Sequence, residues 1–181
     1  MVKTLRRAAL RSALTIAIPV LTGILLPLSV SAQEQPSILG DTVKKVIFDP
    51  TTYAPAIIAY DGTMRDWNTS QPFFRNGYVE RNERFTLTGL PNDRPVSYEV
   101  GRNRILTDAL LNLQMSIVNN VADQLFERAM ITRYPEHRKL VRALGWVERG
   151  AFASFMTYQL SAQHYRQAAA NAQRAQQMGL R

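Results

Sequence analysis

The pattern of apolar and polar positions divides the chain into stretches of distinct character. From Ile105 to Tyr134 the apolar side chains recur at helical spacing: Leu106, Leu110, Leu113, Ile117, Val121 and Leu125, with Ala109, Val118, Ala122, Phe126 and Ala129 widening the stripe. Steps of three and four residues bring side chains to one face of a helix. The stripe predicts an amphipathic helix of about 25 residues, about 38 Å long at ~1.5 Å per residue, with the apolar face buried. A second stripe follows at Leu140, Leu144, Val147, Ala151, Phe155, Tyr158, Ala162, Tyr165 and Ala169. Tyr134–Pro135–Glu136 separates the two. Proline suits a first helical position, and an acid suits the positive end of the new helix. Gly145 and Gly150 interrupt the second stripe, where they either admit a close partner helix or allow a bend. Beyond Tyr165 the pattern fades into "RQAAANAQRAQQ". That run favours helix but has little to bury, and predicts a helix projecting beyond the core and ending at Gly179.

Upstream of these stripes, "DTVKKVIF" (Asp41–Phe48) is a short amphipathic piece. Asp49–Pro50 then has the chemistry of a helix start, because Asp accepts from unpaired first-turn N–H groups and Pro lacks one. Pro55 leaves two starts open. A helix from Asp49 must lose one internal bond at Pro55, whereas a start at Thr52 puts Pro55 in the first turn. Apolar residues continue through Tyr60 to about Trp67. From Asn68 to Asn103, Pro72, Gly77, Gly89, Pro91, Pro95 and Gly101 exclude a long helix. "FTLT" (Phe85–Thr88) and "VSYEV" (Val96–Val100) alternate like strands around the turn-forming "GLPNDRP", which predicts a small β-hairpin leaning on the helices.

The expected fold is mainly α. Two long helices form an antiparallel hairpin, a shorter helix packs on them, and an irregular excursion at 68–103 carries the β-hairpin. The expected organisation is a leader at 1–32, a polar spacer at 33–48, a helical domain at 49–165 and a basic Ala/Gln-rich tail at 166–181.

The leader changes how charge is read. Lys3, Arg6, Arg7 and Arg11 precede the apolar run Ala13–Val30, and Val30, Ser31 and Ala32 make a small-residue cleavage site. This is the layout of a secretory signal peptide cut after Ala32. An inner-membrane anchor at 13–30 is the alternative. Either orientation exports the rest to the periplasm or cell surface. The whole chain carries +8, but four of those charges lie in the leader. The remaining 18 basic and 14 acidic groups leave +4. Residues 149–181 hold four arginines and no acid, and 33–148 are balanced. The high pI is thus no sign of nucleic-acid binding. The chain has no cysteine, so disulfides, thiolate catalysis and thiolate metal sites are excluded.

Candidate chemistry is sparse. His137 and His164 lack the HExxH spacing and read as surface residues. No G-x-S-x-G, P-loop or dinucleotide glycine motif occurs. No metal, cofactor or catalytic residue is assigned. The richest segment is the excursion, where arginines and aromatics interleave as they do at interfaces. Phe73, Phe74, Arg75, Tyr78, Arg81, Arg84, Arg94 and Tyr98 form the candidate interaction surface. An enzyme or ligand-binding module would instead use Glu80, Glu83 or Glu99, two of them converging in a pocket beneath the excursion. Apolar stripes fully used in helix packing argue against an enclosed pocket between the helices.

The order of a secretory leader, a short spacer, "FDPTTYA" (Phe48–Ala54) opening a helix, and long helices ending in an Ala/Gln/Arg-rich tail resembles the exported minor-pilus, conjugal-transfer component of type IV secretion systems. The close match covers about seven residues. The family's Gln/Asn-rich continuation is replaced by "PAIIAYDG", and Asn68–Asn103 aligns with nothing. The resemblance implies a periplasmic or cell-surface protein, without catalytic residues, acting by protein–protein contact in an envelope assembly or adhesion role; the charge balance adds no nucleic-acid partner, and membrane contact is expected only through an uncleaved leader.

Overall fold

The computed structural model describes residues 38–180. The predicted signal peptide lies outside the described residues. Within them the protein is mainly α, with four helices and no strand: α1 (Ile38–Phe48), α2 (Ala54–Arg75), α3 (Tyr98–Arg133) and α4 (Arg138–Gln177). Helix α1 occupies most of the segment expected as a polar spacer.

Both readings of the Asp49 start contain part of the answer. Asp49 caps a separate 3₁₀ turn, Pro50–Thr52, accepting from the Thr51 N–H at 2.9 Å. Helix α2 begins after it at Ala54, so Pro55 falls in the first turn, where no internal bond is lost. Helix α2 also runs further than predicted. Pro72 is tolerated near its C-terminal end, and the helix closes on Asn76 and Gly77, whose φ of +83° only glycine adopts without strain. At the other end of the excursion, Ser97 caps α3 and Tyr98–Val100 become its first turn.

The predicted β-hairpin does not form. Residues 76–97 hold two isolated antiparallel bridges, Glu80 with Asp93 and Thr86 with Pro95, and a 3₁₀ turn at Glu83–Phe85. Proline at 95 removes a ladder donor, and helix capping at Ser97 claims the second expected strand. The excursion is instead fixed by an aromatic knot. Trp67, at 4% exposure, packs with Phe85, Val96 and Ile105, flanked by Tyr60, Met64 and Phe74. A Cβ at Gly101 would lie under 3.0 Å from three atoms of the Trp67 indole, so α3 passes the ring only with glycine there.

The chain reverses at Tyr134–Pro135 as predicted, but the faces of the long helices are turned. Helix α2 lies against both α3 and α4, making its larger contact with α4. The stripe α3 buries is Gly101, Ile105, Ser116, Asn120, Gln124 and Glu127. The stripe α4 buries is Gly145, Arg149, Ala153, Ser161, Ala168, Asn171 and Ala175. Apart from Ile105, which belongs to the aromatic knot, these are polar or small side chains. Much of the leucine-rich stripes expected inside faces outward: Leu110 and Leu144 are each 58% exposed, Phe155 59% and Val147 63%, whereas Leu113, Val121, Leu125 and Tyr165 are half-buried. The Ala/Gln tail is corrected likewise. It does not project beyond the core but packs along α2 through Ala168, Asn171 and Ala175 before Gly179 ends it with a φ of +65°.

A polar clasp holds the helices together at the α1–α2 junction. Arg149, 5% exposed, ion-pairs with Asp49 at 3.0 Å, with Glu127 at 3.3 Å and with Asp123. Burial alone would lower the pKa of this guanidinium. The hydrogen bonds to Asp123 and Glu127 and the charges around it outweigh burial and raise it above the usual value. Asn120 donates to the Thr52 hydroxyl at 2.8 Å and to that of Thr51 at 3.0 Å, and Thr52 donates to the Val46 carbonyl at 2.8 Å. The "DPTT" segment therefore clamps both long helices as well as capping a turn. Gly145 lets α3 approach, since a Cβ there would meet Glu127 Oε2 at 2.7 Å; Gly150 has nothing within 4 Å.

Candidate functional site

Two surfaces are available for binding. The first is a cleft of about 440 Å³ between α2, the excursion and the C-terminal half of α4. Its wall toward α4 is built from the polar seam that fastens the tail. His164 Nδ1 lies 2.8 Å from Asp66 Oδ2, Asn171 donates to Asp66 Oδ1 at 3.2 Å and to the Ser70 hydroxyl at 3.0 Å, and Gln167 donates to Asn171 at 2.9 Å. Both Asp66 oxygens are thus engaged. His164, expected at the surface, is half-buried in this seam, whereas His137 is exposed beside Glu136 as expected. One helical turn back along the seam, Tyr165 donates to Asp61 at 2.7 Å. Hydrogen bonds from Arg65 and then Tyr165 hold the Asp61 carboxyl below its usual range, and the same bond to Asp61, with burial, raises the Tyr165 phenol.

Half of the predicted interaction residues converge on the cleft. Phe73, Phe74, Tyr78 and Arg81 line it, with Trp67 and Phe85 from the aromatic knot. Phe73 is buried and meets the Tyr78 ring edge-on at 5.7 Å, so it supports the wall from behind. Arg84 is drawn instead onto α3, forming a bidentate pair with Asp108. Tyr98 donates to Asn68 at 3.0 Å, and Arg75 and Arg94 are exposed outside the cleft. The three carboxylates weighed for catalysis do not gather. Glu80 lines the cleft and accepts from the Asn82 N–H at 2.7 Å, Glu83 is exposed, and Glu99 pairs at the surface with Arg102 at 3.6 Å. Among the described residues no group of His, Cys, Asp and Glu has metal-ligand geometry.

The second surface is the outward apolar face of α3 and α4. Near the helix reversal it sinks into a groove of about 450 Å³ lined by Phe126, Met130, Val141 and Leu144. Helix α1 adds exposed Leu39, Val43 and Ile47. Exposed apolar grooves of this kind are common places for contact with another molecule. Sequence periodicity located these side chains but assigned them to the interior. The signal that would have corrected it is the polar stripe Ser116–Asn120–Gln124–Glu127, which keeps helical spacing of its own. Among the described residues no helix is long and apolar enough to cross a membrane. Comparison with protein-family models, characterised proteins and solved structures finds no match to this chain.

Proposed function

We propose that this protein is a non-enzymatic subunit of an exported envelope assembly, joined to protein partners through the apolar face of its long helical hairpin. The observation that carries the reading is the reversal of faces: α3 and α4 bury their polar stripes and present Leu106, Leu110, Leu144, Val147, Phe155 and Tyr158 outward. Removing such surface from water contributes roughly 25 cal/mol per Å², and an interface needs only about 800 Å² on each partner. A single copy of this chain leaves that energy unused. The leader-like N-terminus supports an envelope location, and the likeness of Phe48–Ala54 to conjugal-transfer minor-pilus components favours a type IV secretion or conjugation apparatus.

The test is site-specific photo-crosslinking in intact cells, with the photoreactive residue at Leu144 and, as a control, at exposed Gln173 on the tail. Defined envelope adducts from Leu144 are expected, and they disappear when Leu110, Val147 and Phe155 are changed to Gln. A chain that forms no adduct from Leu144, or the same adducts after the triple change, refutes the reading. Genes for secretion ATPases or pilus subunits beside this one would support the apparatus named. N-terminal sequencing of the exported protein that begins at Gln33 would establish the leader.

A further inference from the structure

The cleft offers something the apolar face does not: an unpaired backbone edge beside unpaired cationic side chains. Glu80 and Asp93 exchange both main-chain hydrogen bonds, N–H to carbonyl, at 2.8 and 3.2 Å. In an antiparallel pair this geometry turns the N–H and C=O groups of the flanking residues toward the opposite edge. Those residues are Val79 and Arg81. Their main-chain groups make no hydrogen bond with any described residue, and both line the cleft. An edge of this kind is a template for a further strand.

The side chains around the edge select charge. Arg81 and Arg174 reach the cleft from opposite walls and pair with no acid among the described residues. The acids nearby are already occupied. Asp66 accepts from His164 and Asn171, and Glu80 accepts from the Asn82 N–H. The unmet demand is for an anion. The cleft is also lined by Phe74 and by Phe85, the latter mostly buried against Trp67, and its volume of about 440 Å³ lies within the range of ligand sites.

We infer that the cleft binds an extended peptide of a partner polypeptide by strand addition to Val79–Arg81, with a carboxylate side chain against Arg81 and Arg174 and an aromatic or large aliphatic side chain on the aromatic lining. Main-chain pairing supplies affinity and alternate side chains supply selectivity. Residues two apart share one face of a strand, so the preferred segment carries its acid and its aromatic at alternate positions. This site lies apart from the α3–α4 face, and it stands or falls independently of that assembly surface.

The experiment is fluorescence anisotropy of the purified full chain with a fluorescein-labelled peptide, Thr-Asp-Thr-Phe-Thr-Asp-Thr. Saturable binding is expected. Replacing both Asp residues of the peptide by Lys weakens it at least about ten-fold, as does Arg174→Glu in the protein, while Arg174→Lys stays within about three-fold. Two N-methylated peptides supply the signature of strand addition. Methylating the amides of one alternate set weakens binding about ten-fold, and methylating the other set has little effect, because only one edge of the added strand faces the protein. Circular dichroism of the Arg174 variants checks that they remain folded. Absence of saturable binding, equal affinity for the Lys peptide, indifference to Arg174→Glu, or equal sensitivity to both methylation sets would each overturn the proposal.

Discussion

Helix α2 is held at its two ends by opposite kinds of chemistry. Toward its C-terminus, Trp67 sits in an apolar knot with Phe85, Val96 and Ile105. Just before its N-terminus, Asp49, Thr51 and Thr52 are gripped by Arg149 and Asn120 in a buried polar clasp. The knot holds by area and shape, which are not directional. The clasp holds by donors and acceptors that must meet at fixed angles, and buried charges that lose a partner cost far more than the pair contributes. The knot therefore anchors the excursion, whereas the clasp decides which faces of α3 and α4 turn inward. Much of their apolar faces is left exposed to solvent.

Breaking the clasp should have the largest effect. Arg149→Met leaves Asp49, Asp123 and Glu127 buried without their cation, and is expected to lower the unfolding free energy by about 3–5 kcal/mol, measured by urea denaturation. The double change Asp123→Asn with Glu127→Gln in the same background should recover part of that loss. No recovery would mean that Arg149 acts through packing and not through charge. At the other end of α2, Trp67→Ala should cost about 3–5 kcal/mol by leaving a cavity, and should also loosen residues 76–97, seen as faster amide hydrogen exchange there. If exchange in the excursion is unchanged, the knot is not its anchor.

A smaller effect is expected at Asn120→Ala, about 1–3 kcal/mol, because the Thr51 and Thr52 hydroxyls lose a buried donor. Smaller still is the stability change for Leu110→Gln with Val147→Gln, expected within about 0.5 kcal/mol per site because both side chains are already in water. A loss of several kcal/mol would show that these side chains are buried in the isolated chain and that the apolar faces of α3 and α4 contribute to its core.

The smallest effect concerns pH. Burial first, then the charge of Asp123, raises the pKa of the Glu148 carboxyl above the usual glutamate value of 4.5. The folded state then holds this proton more tightly than the unfolded chain does. Stability from this group is greatest below pH 4.5 and declines as pH rises through the raised folded value. Glu148→Gln should therefore flatten that decline and raise the melting temperature slightly at neutral pH, with no gain under acid conditions. A variant less stable than the parent at pH 7 would contradict this.

The helices were legible because spacing and punctuation suffice to mark them. The break at Tyr134–Pro135 and the stop at Gly179 are read correctly, but Asp49–Pro50 and Pro135, expected as first helical positions, each open a short 3₁₀ turn, and the helices start after them at Ala54 and Arg138. The excursion was legible as an irregular segment but not as its true structure. Phe85–Thr88 alternates like a strand, yet Phe85 is recruited to Trp67, and Ser97 caps a helix where the second strand was expected. The candidate surface was half legible. Aromatic and arginine residues of one segment point to contact, but nothing local tells Arg81, beside the cleft, from Arg84, which Asp108 removes to α3. The partners on α4, His164 and Arg174, are about 90 residues away in sequence and left no mark on the excursion at all.

What the sequence by itself determined is the two long helices and the break between them, the absence of thiol chemistry and the cap at Asp49. Each follows from neighbours within a few residues, where backbone geometry and local hydrogen bonds decide. Which side of each long helix became the interior was decided only in three dimensions. An apolar stripe shows that a face wants to leave water, but not whether its own chain or another one covers it. Here Arg149 and Asn120, reaching across 100 and 68 residues to Asp49 and Thr52, turned the polar stripes inward.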